Sequence, residues 1–98
     1  MLVIPAAVQA DPARLAASLA DHASAARSGY ARTRFHEQLM QMVHDLGVHT
    51  VDPLPGLEAE ARSGRSGFHR EGHWNATGHA IAADRLEPVL GEVLAEHR

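Results

Sequence analysis

The sequence predicts an α/β fold in which a short parallel sheet is covered by helices. Two apolar runs, residues 2–4 and 48–51, have the length and β-branched content of buried strands. Helical periodicity occupies the segments between and after them, and strands that alternate with helices are typical of parallel sheets. Because two strands make a poor sheet alone, we expect the chain to self-associate through its uncovered sheet edges.

The segment between the two runs is predicted to form two helices. The first begins at Asp11-Pro12, a capping carboxylate followed by proline at the first helical position, and ends at Ser28-Gly29. The second has the clearest pattern in the chain, with apolar residues at i, i+4, i+7, i+8 and i+11, and ends at Gly47. It predicts a core-facing stripe formed by Phe35, Leu39, Met42, Val43 and Leu46.

Two more helices are predicted after the second strand. Asp52 ends that strand and is expected to cap a short helix around residues 57–61, which a loop at residues 63–67 follows. The last helix begins near Asn75, and Pro88 is expected to kink or split it. Its apolar repeat is formed by Ala82, Leu86, Val89, Leu90 and Val93.

Length and composition limit the classes of function. The 98 residues are enough for a single domain spanning 1–98. A net charge of −3 is too weak to indicate nucleic acid or an anionic membrane as a partner. The absence of cysteine excludes disulfides and thiolate catalysis, and no apolar run approaches the roughly 20 residues of a membrane span. The first residues lack the basic region of a signal peptide, so no compartment is predicted; a frame that opens on a core strand is expected to lack its beginning.

Residues 68–79 carry the chemistry. Glu71 and His73 are two positions apart in a loop directly before a helix. Histidine acts as a general base near neutral pH, and a carboxylate on its Nδ1 fixes the ring and stabilises the imidazolium. Gly72 allows a tight backbone path that turns both side chains to one side, and Asn75 can cap the helix that follows.

This segment resembles a known enzyme family. Glu71-Gly72-His73-Trp74-Asn75-Ala76-Thr77-Gly78-His79 is similar to the last motif block of SGNH/GDSL-type serine hydrolases, which commonly reads Asp-x-His-Trp-Asn-x-x-Gly-His. Residues 2–9 and 47–57 also resemble passages of that family. The resemblance implies a flavodoxin-like three-layer sandwich, of which residues 1–98 would be the C-terminal half.

The resemblance also implies ester or acyl-transfer chemistry on an ester- or acyl-bearing small molecule or glycan. His73 matches the general base of the family, and Glu71 matches the acid that orients it. Aspartate is usual at the acid position. Glutamate is one methylene longer and can still reach a histidine nitrogen, as it does in other hydrolase triads.

The sequence lacks the other parts of such a site. The Gly-Asp-Ser nucleophile block of the family, and the glycine and asparagine of its oxyanion hole, have no counterpart here. The serines lie in predicted helix or loop rather than at a strand-to-turn junction; they are Ser18, Ser24, Ser28, Ser63 and Ser66. We therefore expect the acid and base of a triad without the nucleophile, and no esterase activity from this chain alone.

A second hypothesis is a non-catalytic binding module whose apolar helices pack onto a partner chain. The histidine loop would then be a relic or a metal site formed by His69, His73 and His79. Their spacings of four and six residues are not a standard zinc pattern, so no metal or cofactor is predicted. An upstream, in-frame Gly-Asp-Ser segment would favour the hydrolase over the binding module.

Overall fold

The computed structural model describes residues 1–21 and 33–97, and within these ranges the chain is mostly helical. Predictions that concern Ser24, Ser28 and Gly29 lie outside the described residues. The described helices are α1 (Ala7–Ala10), α2 (Pro12–Asp21), α3 (Arg34–Asp45), α4 (Leu54–Arg62) and α5 (Ala76–Glu96).

The predicted parallel sheet, and with it the α/β sandwich, is wrong for the described residues. The two apolar runs meet only at an isolated parallel bridge between Leu2 and Val51. Val3 N donates to Val51 O at 3.0 Å, Val51 N donates to Met1 O at 2.8 Å, and the amino group of Met1 donates to His49 O. These three bonds do not build a strand or sheet within the described residues. Val3 and Val51 are buried while Leu2 and Ile4 are exposed. Strands covered on both faces need neighbours that the described residues do not provide, so only one face of the first run is buried.

The core lies where α1, α4 and the start of α5 meet. The buried cluster consists of small and branched side chains with one aromatic ring, and Trp74 and Ile81 pack against it from the side. The short helix α1, which the sequence did not predict, contributes two alanines because it lies close to α4. The members of the buried cluster are Ala7, Ala10, Leu54, Leu57 and Phe68.

Helix α3 forms as predicted, but its predicted core face is wrong. Of that stripe only Val43 is buried, whereas Phe35, Met42 and Leu46 are exposed. The helix instead turns His36 and Val43 inward, seven residues or about two turns apart. The other described residues form a small core. This core covers a narrow strip of α3 rather than the whole apolar face of the helix.

Two predicted caps are confirmed. Asp52 Oδ1 accepts a hydrogen bond from Leu54 N at 3.0 Å at the start of α4. Asn75 is the N-cap of α5, and its side-chain oxygen accepts from Gly78 N at 2.9 Å. Of the two expected effects of Pro88, the split is absent, since α5 continues through Pro88 to Glu96; the kink stays a prediction. None of the described helices is long and apolar enough to cross a membrane.

The loop before α5 lies directly on the first turn of that helix. Gly67 O accepts from Asn75 N at 2.9 Å, and Asn75 Nδ2 donates to Ser66 O at 2.7 Å. A Cβ on Gly78 would collide with the carbonyl oxygen of Gly67, and a Cβ on Gly67 would lie 2.6 Å from Leu57 Cδ2. Backbone therefore packs on backbone here, which only glycine at position 78 permits.

We predict that Gly78→Ala lowers the free energy of unfolding by about 1–3 kcal/mol, because a rigid carbonyl must move to admit the methyl group. The matched control is Gly91→Ala in the same helix, where a Cβ would meet nothing within 4 Å. That control should raise the free energy of unfolding by up to about 1 kcal/mol through helix propensity. Urea denaturation followed by circular dichroism measures both; equal effects at the two sites would contradict the close packing.

Candidate active site

The candidate site is the histidine loop, which we define as residues 67–75. An isolated antiparallel bridge joins Phe68 to Trp74 and closes the loop at its base. His69 N donates to His73 O at 2.7 Å, and Gly72 N donates to His69 O at 3.1 Å, which makes a tight turn at the tip. Gly72 has φ +105°, a conformation that side chains with a Cβ rarely adopt. The tight path that the sequence predicted for Gly72 is therefore present.

The loop brings Glu71 and His73 together. His73 Nδ1 lies 3.2 Å from Glu71 Oε1, within the range expected for a base and the acid that orients it. This contact uses Nδ1 and leaves Nε2 without a partner among the described residues. The His73 side chain is 87% exposed, so Nε2 is open to an incoming group. The expected proximity of the two side chains is confirmed, while their catalytic role stays a prediction.

Local hydrogen bonding stabilises the charged form of the acid. The pKa of the Glu71 carboxyl is held below its ordinary value, mainly by a hydrogen bond from its own backbone N–H. The hydrogen bond with His73 and the nearby imidazoles of His69 and His73 lower this pKa further. Glu71 is thus a carboxylate at neutral pH, as an acceptor for an Nδ1–H donor must be.

Arg14 on α2 holds the histidine loop from outside. Its Nη2 donates to His69 O at 2.9 Å and to Phe68 O at 3.4 Å, and its Nη1 donates to Arg70 O at 3.5 Å. The guanidinium also lies 5.8 Å from the centre of the Phe68 ring. Sequence reasoning missed this residue, because nothing in an alanine-rich helix marks an arginine that bonds to carbonyls 54 to 56 residues away.

A small apolar pocket borders the pair. Its volume is about 230 Å³, and Gly72 and His73 form one side of it. Trp74 and His79 contribute rings that meet edge to face, with centroids 5.6 Å apart. Trp74 packs beside the buried cluster as well, although the sheet end on which it was expected to pack is absent. The remaining wall is formed by Ile4 and Pro5.

A second histidine–carboxylate contact lies away from this loop. His36 Nε2 is 3.0 Å from Asp52 Oδ1, but without the alignment of a hydrogen bond. His36 is buried, in contrast to the exposed His73, and with Asp52 it lines a shallow depression at the surface of α3. The contact links α3 to the residue that directly precedes the start of α4. Sequence reasoning missed it, since His36 falls outside the apolar stripe of α3.

The sequence lacked the nucleophile block and the oxyanion hole of the hydrolase family. Other residues of the described ranges do not assemble these parts. Ser63 Oγ donates to Glu60 O at 2.6 Å, and Ser66 Oγ accepts from Phe68 N at 3.2 Å, so both hydroxyls bond to backbone. Within residues 1–21 and 33–97, no serine hydroxyl hydrogen-bonds to His73. In the same ranges, no group of three or more histidine, aspartate or glutamate side chains is placed to hold a metal ion.

Comparison with known proteins gives no relative from which a role could be transferred. No protein-family description, no curated protein sequence and no solved structure matches the chain.

We predict that Arg14→Lys loosens the histidine loop, because an ammonium cannot make the forked contacts to three carbonyls. The backbone amides of His69 and Gly72, which hydrogen-bond within the loop, should exchange with solvent faster by hydrogen-exchange NMR, while amides in the middle of α5 stay unchanged. Arg85→Lys on the exposed side of α5 is the matched control and should leave loop exchange as in the original chain. Unchanged exchange in Arg14→Lys would show that the loop holds its shape without the guanidinium.

Proposed function

We propose that this chain carries the acid and base of a serine esterase or acyltransferase site, with the serine nucleophile supplied from outside these residues. The single observation that carries the proposal is the 3.2 Å contact between His73 Nδ1 and Glu71 Oε1 on a loop held from two sides. The resemblance of residues 71–79 to the last block of SGNH/GDSL hydrolases supports the same assignment.

The chemistry follows from which nitrogen is occupied. With Nδ1–H donating to Glu71, Nε2 of His73 has a lone pair that can take the proton of a serine hydroxyl as its oxygen bonds to the ester carbonyl carbon. The imidazolium formed at that step is stabilised by the Glu71 carboxylate. It then returns the proton from Nε2 to the departing alkoxide oxygen, and the acyl–oxygen bond breaks. A water molecule repeats the sequence to release the acid and free serine.

The apolar pocket supports this assignment because it lies at the ring of His73. Its volume of about 230 Å³ suits a small uncharged part of an ester rather than a long chain. Ile4, Pro5 and Trp74 give it an apolar wall beside the His73 ring, against which that part of an ester would pack.

The alternative proposal is a non-catalytic interaction module. One observation favours it: α3 keeps most of its apolar stripe exposed. An interaction surface on α3 and an acid–base pair on the histidine loop involve different elements, so the two roles are compatible. The version in which the histidine loop binds a metal has no support from the geometry of the described residues.

The hydrolase proposal is tested by comparing two polypeptides. One is this chain, and the other is a longer polypeptide that also contains the segment encoded in frame upstream of it. A fluorophosphonate probe, which labels activated serines, should label the longer polypeptide and leave the 98-residue chain unlabelled. In the longer polypeptide, His73→Ala should reduce ester hydrolysis by roughly 10²- to 10⁴-fold. His97→Ala, a change at another exposed histidine, is the control and should preserve both labelling and hydrolysis.

Two results would contradict the proposal. An upstream frame without a serine that the probe labels would remove the nucleophile and leave the interaction module. Esterase activity of the 98-residue chain that depends on His73 would show that a serine within it suffices.

A further inference from the structure

Helix α3 presents an apolar stripe that the described body does not cover. It consists of the predicted apolar face without the buried Val43, and we use the word stripe below for these four residues alone. Phe35, Leu39, Met42 and Leu46 repeat at i, i+4, i+7 and i+11, so they align along one side of the helix. Phe35 is 67% exposed, Met42 60% and Leu46 69%, and Leu39 is partly buried. A contiguous row of large apolar side chains at the surface of a small protein marks an interaction site.

The stripe is distinct from the side of α3 that contacts the body. At about 100° per residue, His36 and Val43 lie roughly 80° around the helix from the centre of the stripe. These two residues are buried, and His36 lies against Asp52 at the start of α4. Because α3 contacts the other described residues through His36 and Val43, the stripe stays at the surface of the molecule.

The order of residues along the stripe is self-complementary. If two α3 helices run antiparallel, a register that sets Phe35 opposite Leu46 of the other helix also sets Leu39 opposite Met42. A two-fold axis generates each of these contacts twice, as in the commonest class of protein dimer. The seam then has a Phe35–Leu46 pair at each end and two Leu39–Met42 pairs of similar size in the middle.

The charges at the two ends of α3 fit the same arrangement. Arg34 and Asp45 project from one flank of the stripe, at opposite ends of the helix. In the antiparallel register, Arg34 of one copy lies roughly 3 Å along the axis from Asp45 of the other, within reach of a flexible arginine. Two antiparallel helix dipoles also attract each other. In a parallel arrangement both Arg34 residues lie at one end of the pair and both Asp45 residues lie at the other end, so no Arg34–Asp45 contact forms.

We propose that a second copy of this chain covers the stripe, through an antiparallel, two-fold-symmetric pair of α3 helices with Arg34–Asp45 contacts at both ends. The surface lies on α3, away from the histidine loop, and the proposal does not depend on the catalytic role of His73. The chain is a homodimer in which α3 is the interface.

The first test is the mass of the chain in solution. Sedimentation equilibrium at micromolar concentrations should give a monomer–dimer equilibrium. Met42→Glu, in the middle of the stripe, should weaken dimerisation by at least tenfold, while Ala83→Glu at an exposed position of α5 should leave it unchanged. Circular dichroism confirms that both variants fold. A monomer at every concentration, as expected if another protein covers the stripe, or a dimer that Met42→Glu leaves intact, would overturn the proposal.

The second test determines the register in which the two α3 helices pair. Arg34→Glu and Asp45→Arg should each weaken the dimer, and the double variant R34E/D45R should restore it. Because the chain has no cysteine, Phe35→Cys and Leu46→Cys can also be oxidised as a mixture. The proposal predicts a disulfide between the two different variants and none between two Phe35→Cys chains, whose positions lie roughly 16 Å apart along the axis. Disulfides between identical variants, or a double variant weaker than both single ones, would contradict the antiparallel register.

Discussion

The candidate site depends on one close contact, the packing of the Gly67 carbonyl on the first turn of α5. Gly78 admits this carbonyl because it has no side chain, and Asn75 both caps the helix and bonds to the loop backbone. The contact fixes the base of the histidine loop. Arg14 fixes residues 68–70 of the loop through hydrogen bonds to their three backbone carbonyls. Glu71 and His73 are exposed and form a pair only because the backbone beneath them is held. An exposed ion pair by itself contributes little to stability, so the order comes from the backbone.

The sequence predicted local features of the loop better than the architecture around it. Asn75 and Asp52 were recognisable as caps because a cap is decided by neighbours two or three residues away. The Glu71–His73 contact followed from a two-residue spacing across a glycine. The parallel sheet failed because strand formation depends on neighbours distant in the chain. Val51 finds one bridge partner, Leu2, and neither run finds a second strand within the described residues.

Helix α3 shows the same limit of local sequence patterns, this time for packing rather than for strand formation. Its periodicity predicted the helix correctly, but periodicity cannot say which body covers the apolar face. Within the described residues that face is turned outward, and the buried positions are His36 and Val43. Arg14 was not predictable either, because its partners are backbone carbonyls that carry no signal in the sequence. Both proposals have the chain act together with other polypeptide: a second copy at the stripe of α3, and a serine-bearing segment at the histidine loop.

The most direct measurement of the central claim is the tautomer of His73. Long-range ¹H–¹⁵N NMR of the neutral imidazole distinguishes a protonated Nδ1 from a protonated Nε2. If Glu71 orients the ring as a general base, the proton should reside on Nδ1 and Nε2 should show the shift of an unprotonated nitrogen. In Glu71→Ala the Nδ1–H population should fall, while the tautomer of the exposed His97 stays as it was. A His73 ring that carries its proton on Nε2, or whose tautomer does not respond to the loss of Glu71, would contradict the proposed acid–base pair.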